Sequence, residues 1–185
     1  MLLDFIKIYR YYFLIALFVA ILLSVSNFNN ENNILNYILI SLGSLLTPFL
    51  YELDYLIYAY LLDTDAPFSI TLRNLLKAKR FRAAFLYAHE NGAEMTFSIF
   101  RSVLVVLGVF GVAFILVFSP SPPLFSLGVV LSFLLTSLYL QISSLYTGTW
   151  KMWYSSFDTE LKESYIKAII ILEVLIYIFF IFQVL

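Results

Sequence analysis

The sequence predicts an all-α fold: a polytopic integral membrane bundle of about five transmembrane helices with a basic amphipathic helical segment outside the lipid. Three observations predict it. The 185 residues are 62% hydrophobic and only 12% charged, with a mean hydropathy of +0.93, whereas soluble domains run about 45–50% apolar and about 25% charged. Apolar runs recur at the length, roughly 20 residues, that a helix needs to cross a hydrocarbon core about 30 Å thick. The eleven Lys and Arg residues fall in three places only, and the loops of the opposite phase carry none.

The first span covers about 9–26, opened by Lys7 and Arg10 and followed by the uncharged-to-acidic connection at 27–33. Its basic start and the Ser24-Val25-Ser26 triplet also resemble a signal peptide with a cleavage site, though the apolar run is long for a signal core. The second span covers about 34–54, with apolar character continuing to Leu62 and a kink or break expected near Pro48. The third covers about 99–118 and stops at Ser119-Pro120-Ser121-Pro122-Pro123, a non-helical turn. The fourth covers about 124–146 and the fifth about 165–185. Gly108, Gly111 and Ala113 permit close helix packing in the third span, and Trp150, Trp153 and Tyr154 read as aromatics of the membrane interface.

Charge sorting orients these spans. The middle loop and its junction hold Arg73, Lys77, Lys79, Arg80, Arg82 and Arg101, and the late loop holds Lys151, Lys162 and Lys167. Cationic loops stay cytoplasmic, so the reading is a multi-pass protein of the cell membrane, N-terminus inside and C-terminus outside. The whole chain, 1–185, is one membrane domain.

The segment 63–94 is the one sizeable stretch outside the spans. Ser69 and Thr71 are helix-cap candidates after Pro67, and Leu72, Leu75, Leu76, Phe81, Phe85 and Leu86 form an apolar stripe at helical spacing. Arg73, Lys77, Lys79, Arg80 and Arg82 take much of the remaining surface, and Asn91-Gly92 is a helix stop. A basic amphipathic pair of helices on an anionic inner leaflet has this pattern. So does a loop that only sets topology.

Several chemistries are excluded or unsupported. There are no cysteines, so disulfides and thiolate sites are absent, and a net charge of −1 gives no case for nucleic acid. No cofactor and no metal site is expected. His89 is the single histidine, placed to meet a helix C-terminus rather than to join a ligand set. Ionisable and amide side chains inside spans are functional candidates by default. Topology brings Glu52, Asp54, Arg101, Ser137, Gln141 and Glu173 to one depth near the cytoplasmic face. Two readings stay open: a wet cleft for a substrate, ion or headgroup, or a packing device in which Arg101 neutralises Glu173 or Glu52 and Gln141 bonds across helices.

Gly43-Ser44-Leu45-Leu46 followed by Glu52-Leu53-Asp54-Tyr55 resembles the glycine–apolar–acidic stretch of YdjM-like inner-membrane proteins, described as membrane-bound, metal-dependent hydrolases. The resemblance extends in order and spacing over about 40–145. It implies Glu52 and Asp54 as acid/base or ligand residues. Tyr55, Arg101, Ser137 and Gln141 stand where that family carries His, His, His and Asp. A guanidinium at Arg101 puts positive charge where a divalent ion would sit, so the resemblance implies a scaffold kept without its metal.

The functional expectation is an integral membrane protein without catalysis, acting as a scaffold or by lipid or partner association. A membrane hydrolase using Glu52 and Asp54, and a small carrier or channel subunit using Glu173, are the alternatives. The partners expected are the bilayer and either another membrane protein or a second copy.

Overall fold

The computed structural model describes residues 2–27, 34–95, 97–155 and 162–185. These form α1 (Leu2–Asn27), α2 (Ile34–Ile57), α3 (Pro67–Lys77), α4 (Phe81–Asn91), α5 (Val103–Val117), α6 (Leu124–Thr147) and α7 (Glu163–Val184). A π-helical turn, Tyr58–Leu62, extends α2, and 3-10 turns lie at Gly92–Glu94 and Trp150–Tyr154. No strand occurs among the described residues, so the all-α expectation holds.

Four helices, α1, α2, α6 and α7, are long and apolar enough to cross a membrane. Their surfaces are inverted relative to a soluble protein. Leu14, Leu17, Phe18 and Ile21 of α1 and Ile171, Leu172, Leu175 and Phe182 of α7 are exposed, while Ser44, Thr47, Ser132, Thr136, Ser137 and Gln141 are buried. Apolar surface this extensive marks contact with lipid or another protein.

α5 is shorter than its expected span, at 15 residues, or about 22 Å of helix. Its start is delayed because the chain before it is bonded elsewhere. The Ile99 and Phe100 N–H groups donate to the Asp54 carboxyl, and the Arg101 N–H donates to the Ser98 hydroxyl. The first helical bond is then Val106 N–H to the Ser102 carbonyl, at 3.1 Å.

The core of the bundle is the α2–α6 pair. Gly43 lies against the Phe125 carbonyl and Gly128 against that of Ile40, so close that a Cβ would sit 2.2 Å and 2.7 Å from those oxygens. Ser44 donates to the Gly128 carbonyl and Thr47 to that of Val129, and the Tyr51 hydroxyl meets the Ser137 hydroxyl at 2.6 Å. Residue numbers rise together on both helices, so α2 and α6 run parallel. Gly108 and Gly111, the expected packing glycines, face open space. Sequence spacing within α5 could not show that the close crossing lay between two other helices.

α1 packs on α2 with Tyr12 near Tyr51 and Leu17–Val25 near Tyr37 and Ser41, which makes that pair antiparallel. α5 and α6 form a hairpin, with Phe100 against Phe133 at its open end. α7 runs back along α6, with Glu163 and Lys167 near Tyr146 and Glu173 at Gln141. The starts of α1, α5 and α7 therefore share one end of the bundle with the ends of α2 and α6. Every Lys and Arg belongs to that end or to α3, α4 and the segments joining them. Of the cation-free connection at 27–33, residues 28–33 lie outside the described residues.

Local details depart from expectation at five places. α2 stays helical through Pro48, with no break there, although proline removes one helical N–H; a π turn follows at Tyr58–Leu62. α3 has Pro67 in its first turn and no side-chain cap. Ser69 is buried instead, and the Asp63 carboxyl takes the Ala66 N–H at 3.1 Å. Gly92 is right-handed rather than a left-handed stop; it is required because a Cβ would stand 2.7 Å from the Tyr55 ring. Phe81 leaves the apolar stripe and is 61% exposed, while Ala84 and Ala88 take the buried face of α4. Trp153 and Tyr154 are buried within the bundle rather than exposed at an interface.

Candidate functional site

The polar side chains singled out in the sequence do lie toward one end of the bundle, but they are divided among separate hydrogen-bonded groups. Asp54 heads the first. It is 0% exposed on the last turns of α2, where the α2 face turns toward the 97–102 loop. Its Oδ1 accepts the Ile99 N–H at 2.8 Å and the Phe100 N–H at 3.3 Å, and its Oδ2 accepts the Ser98 hydroxyl. A buried carboxyl so occupied is a loop anchor, since buried polar groups persist where hydrogen bonds replace water.

Arg101 follows directly. One Nη2–H donates to the Tyr55 hydroxyl at 2.6 Å, and the guanidinium lies 4.8 Å from the centre of the same ring. A cation over a tyrosine face is attracted by the ring quadrupole. The hydroxyl end of Tyr55 meets both Arg101 and Gly92. The expected ion pair of Arg101 with Glu173 or Glu52 is not formed among the described residues. The loop anchored by Asp54 delivers Arg101 to Tyr55, whereas Glu173 is taken by Gln141. Glu52 is half-buried and within electrostatic reach of Arg101. About half a turn of helix separates it in direction from Asp54, so the two carboxyls project to different faces, as the two-residue spacing required.

His89, in the last turn of α4, packs its ring 6.3 Å from that of Tyr9. Burial, and then the Arg101 charge, hold the imidazole below its ordinary pKa. It joins the tyrosine-lined surroundings of Arg101. Its position in the last turn of α4 is the helix C-terminal place expected from the sequence.

The second group crosses from α6 to α7. Glu173 is 2% exposed, and its Oε2 accepts the Gln141 Nε2–H at 2.8 Å. Gln141 Oε1 in turn accepts the Tyr154 hydroxyl at 3.0 Å. Burial, and then the Glu173 carboxyl, raise the Tyr154 phenol above its ordinary pKa, which keeps it a donor. Ser137 belongs to neither group, because Tyr51 takes it. Ser98, Tyr51 and Tyr154 were missed in the sequence. Only Tyr154 carried a signal, its place just past the fourth span, and that signal pointed to lipid.

The exposed cations form the remaining feature. α3 and α4 make a hairpin whose apolar side, with Phe68, Leu72, Ala84 and Ala88, packs on Tyr55, Tyr58 and Ala59 of α2 and its π turn. The chain turns at Lys79, in the left-handed region at φ 57°, with Arg80 N–H returning to the Leu75 carbonyl at 3.0 Å. That end closure resembles the usual helix stop, with lysine where glycine is common. Lys77, Lys79, Arg80, Phe81 and Arg82 are all exposed at this tip. Arg73 is not one of them: its Nε and Nη2 donate to the Ser69 and Thr64 carbonyls, which fixes the start of the hairpin.

No three His, Asp or Glu side chains gather as a metal site among the described residues. No family model, curated protein or solved structure matches this chain.

Proposed function

We propose that the chain is a multi-pass protein of the cell membrane that crosses the lipid five times and acts without catalysis, as a scaffold holding the α3–α4 tip against the anionic inner leaflet. The observation that carries this reading is the tip itself. Lys77, Lys79 and Arg80 are exposed beside an exposed Phe81, on a hairpin docked to the end of α2. Cations with an adjacent aromatic suit the headgroup region, where the charges meet anionic lipid and the ring enters the acyl boundary.

Five crossings are supported by the parallel run of α2 and α6. A chain that leaves α2 at one end must return to the other before α6 begins, and α5 is the one segment available for the return. The inside location of the tip rests on the positive-inside rule applied to the cation-bearing end. A role without catalysis is favoured by the use already made of the polar side chains. Asp54 holds a loop and Arg101 is stacked on Tyr55.

Native mass spectrometry of the full-length protein, equilibrated with equal amounts of anionic and zwitterionic phospholipid, tests the tip. Each cation near an anionic surface contributes about 1 kcal/mol. Lys77→Gln, Lys79→Gln and Arg80→Gln together are expected to lower anionic-lipid retention by up to about a hundredfold, with the wild-type preference weakening in salt. Equal retention by wild type and triple variant would remove the lipid role.

A further inference from the structure

We propose that Glu173 is a proton-binding site inside the bundle, a neutral carboxylic acid whose proton is held at Oε1 and whose contact with the charged end of the bundle runs through Gln141 and Tyr154. Glu173 lies ten residues beyond the start of α7, about 15 Å along the helix, and so well inside the bundle on the side of its cation-bearing end. It is 2% exposed. Its two oxygens are treated unequally: Oε2 has the Gln141 donor, and Oε1 is buried with no hydrogen-bond partner.

An ionised carboxylate in that place would need donors on both oxygens or a cation beside it, and a group denied these takes up a proton instead. The surrounding elements supply neither. α5 has no titratable residue in its sequence. α6 offers Tyr139 and Tyr146, and the charged residues of α7 itself, Glu163 and Lys167, pair with each other at 2.7 Å near the helix start. Across the neighbouring groove α1 presents Ile15, Phe18 and Leu22, and α7 adds Val174, Ile178 and Ile181. Tyr177, one turn on, is buried with its hydroxyl unpartnered. The group in electrostatic contact is Tyr154, a neutral donor.

The Tyr154–Gln141–Glu173 line gives the site a direction. Tyr154 sits in the 3-10 turn after α6, at the cation-bearing end, and its hydroxyl fixes which face of the Gln141 amide meets Glu173. Glu173 is thereby tied to one end of the bundle and sealed from the other by apolar side chains. The site is independent of the α3–α4 tip.

Infrared difference spectroscopy of the full-length protein in lipid nanodiscs at pH 7, wild type against Glu173→Gln, reads the proposal directly. The expected result is a protonated-carboxyl C=O band in the wild type that disappears in the variant. Carboxylate bands in place of that C=O band would overturn it. If Glu173→Gln does not fold, Tyr154→Phe serves, because loss of the donor that orients Gln141 is expected to shift the band of Glu173. A band absent or unshifted in that comparison would also overturn the proposal.

Discussion

Replacing Asp54 with alanine is expected to be the most damaging single change in the chain. The carboxyl is 0% exposed and accepts two backbone N–H groups and a serine hydroxyl. Alanine leaves the Ile99 and Phe100 N–H groups without their acceptor. Each buried donor left unmade costs about 1–3 kcal/mol. A loss on the order of 4 kcal/mol follows, against a typical total of about 5–15 kcal/mol. The loop would also release Arg101 from Tyr55, since Ser98 bonds both Asp54 and the Arg101 N–H. Equilibrium unfolding in mixed micelles measures the effect. Ser98→Ala, which removes one of the three donors, should cost about a third as much. A near-neutral Asp54→Ala would leave the loop-anchor role without support and return Asp54 to the list of chemically active acids.

The second large effect is expected at the α2–α6 crossing. A Cβ on Gly43 would stand 2.2 Å from the Phe125 carbonyl oxygen and 3.1 Å from its carbon. Both are backbone atoms of the first turn of α6 and cannot rotate aside, so the helices must separate. Separation stretches the Ser44 and Thr47 bonds to α6, already 3.5 Å and 3.3 Å long. Overpacking in a well-filled core costs about 1–3 kcal/mol, and Gly43→Ala should lie at the upper end, with Gly43→Val beyond it. Gly108→Ala is the control, because nothing lies within 4 Å of a Cβ there. Since alanine is also the better helix former by about 0.8–1 kcal/mol, that change should be neutral or stabilising. The same unfolding measurement separates the two glycines, and equal behaviour would contradict the close crossing.

These two sites show where the sequence was and was not legible. Long apolar runs and clustered Lys and Arg are properties of whole segments, so the helical class, the bounds of α6 and the gathering of cations at one end could be read directly. α5 was overextended because hydropathy registers the apolar Ile99 and Phe100 without showing that their N–H groups are bonded to a carboxyl 45 residues earlier. Gly43 stood in the sequence as one small residue in a long apolar run. Its physical role, admitting a neighbouring backbone, depends on a helix more than 80 residues away. Asp54, Ser137, Gln141 and Glu173 were selected correctly as buried polar groups, with Glu52 and Arg101 half-buried, but depth alone could not partner them. Arg101 has an aromatic hydroxyl where an acid was expected, and Glu173 has an amide where a guanidinium was expected. Tyrosine hydroxyls at positions 51, 55 and 154 make most of these connections, and tyrosine in an apolar run reads as hydrophobic until its partner is known.

The account depends most on α5 carrying the chain from the cation-bearing end of the bundle to the opposite end. The natural absence of cysteine allows a direct measurement with single-cysteine variants, Lys79→Cys before α5 and Ser121→Cys after it, labelled by a membrane-impermeant maleimide in sealed vesicles of known orientation. Labelling of the two positions from opposite faces, with Lys79→Cys reached only from the cytoplasmic side, is the predicted result. Labelling of both from the same face would mean that α5 does not cross, and the five-pass arrangement would be wrong.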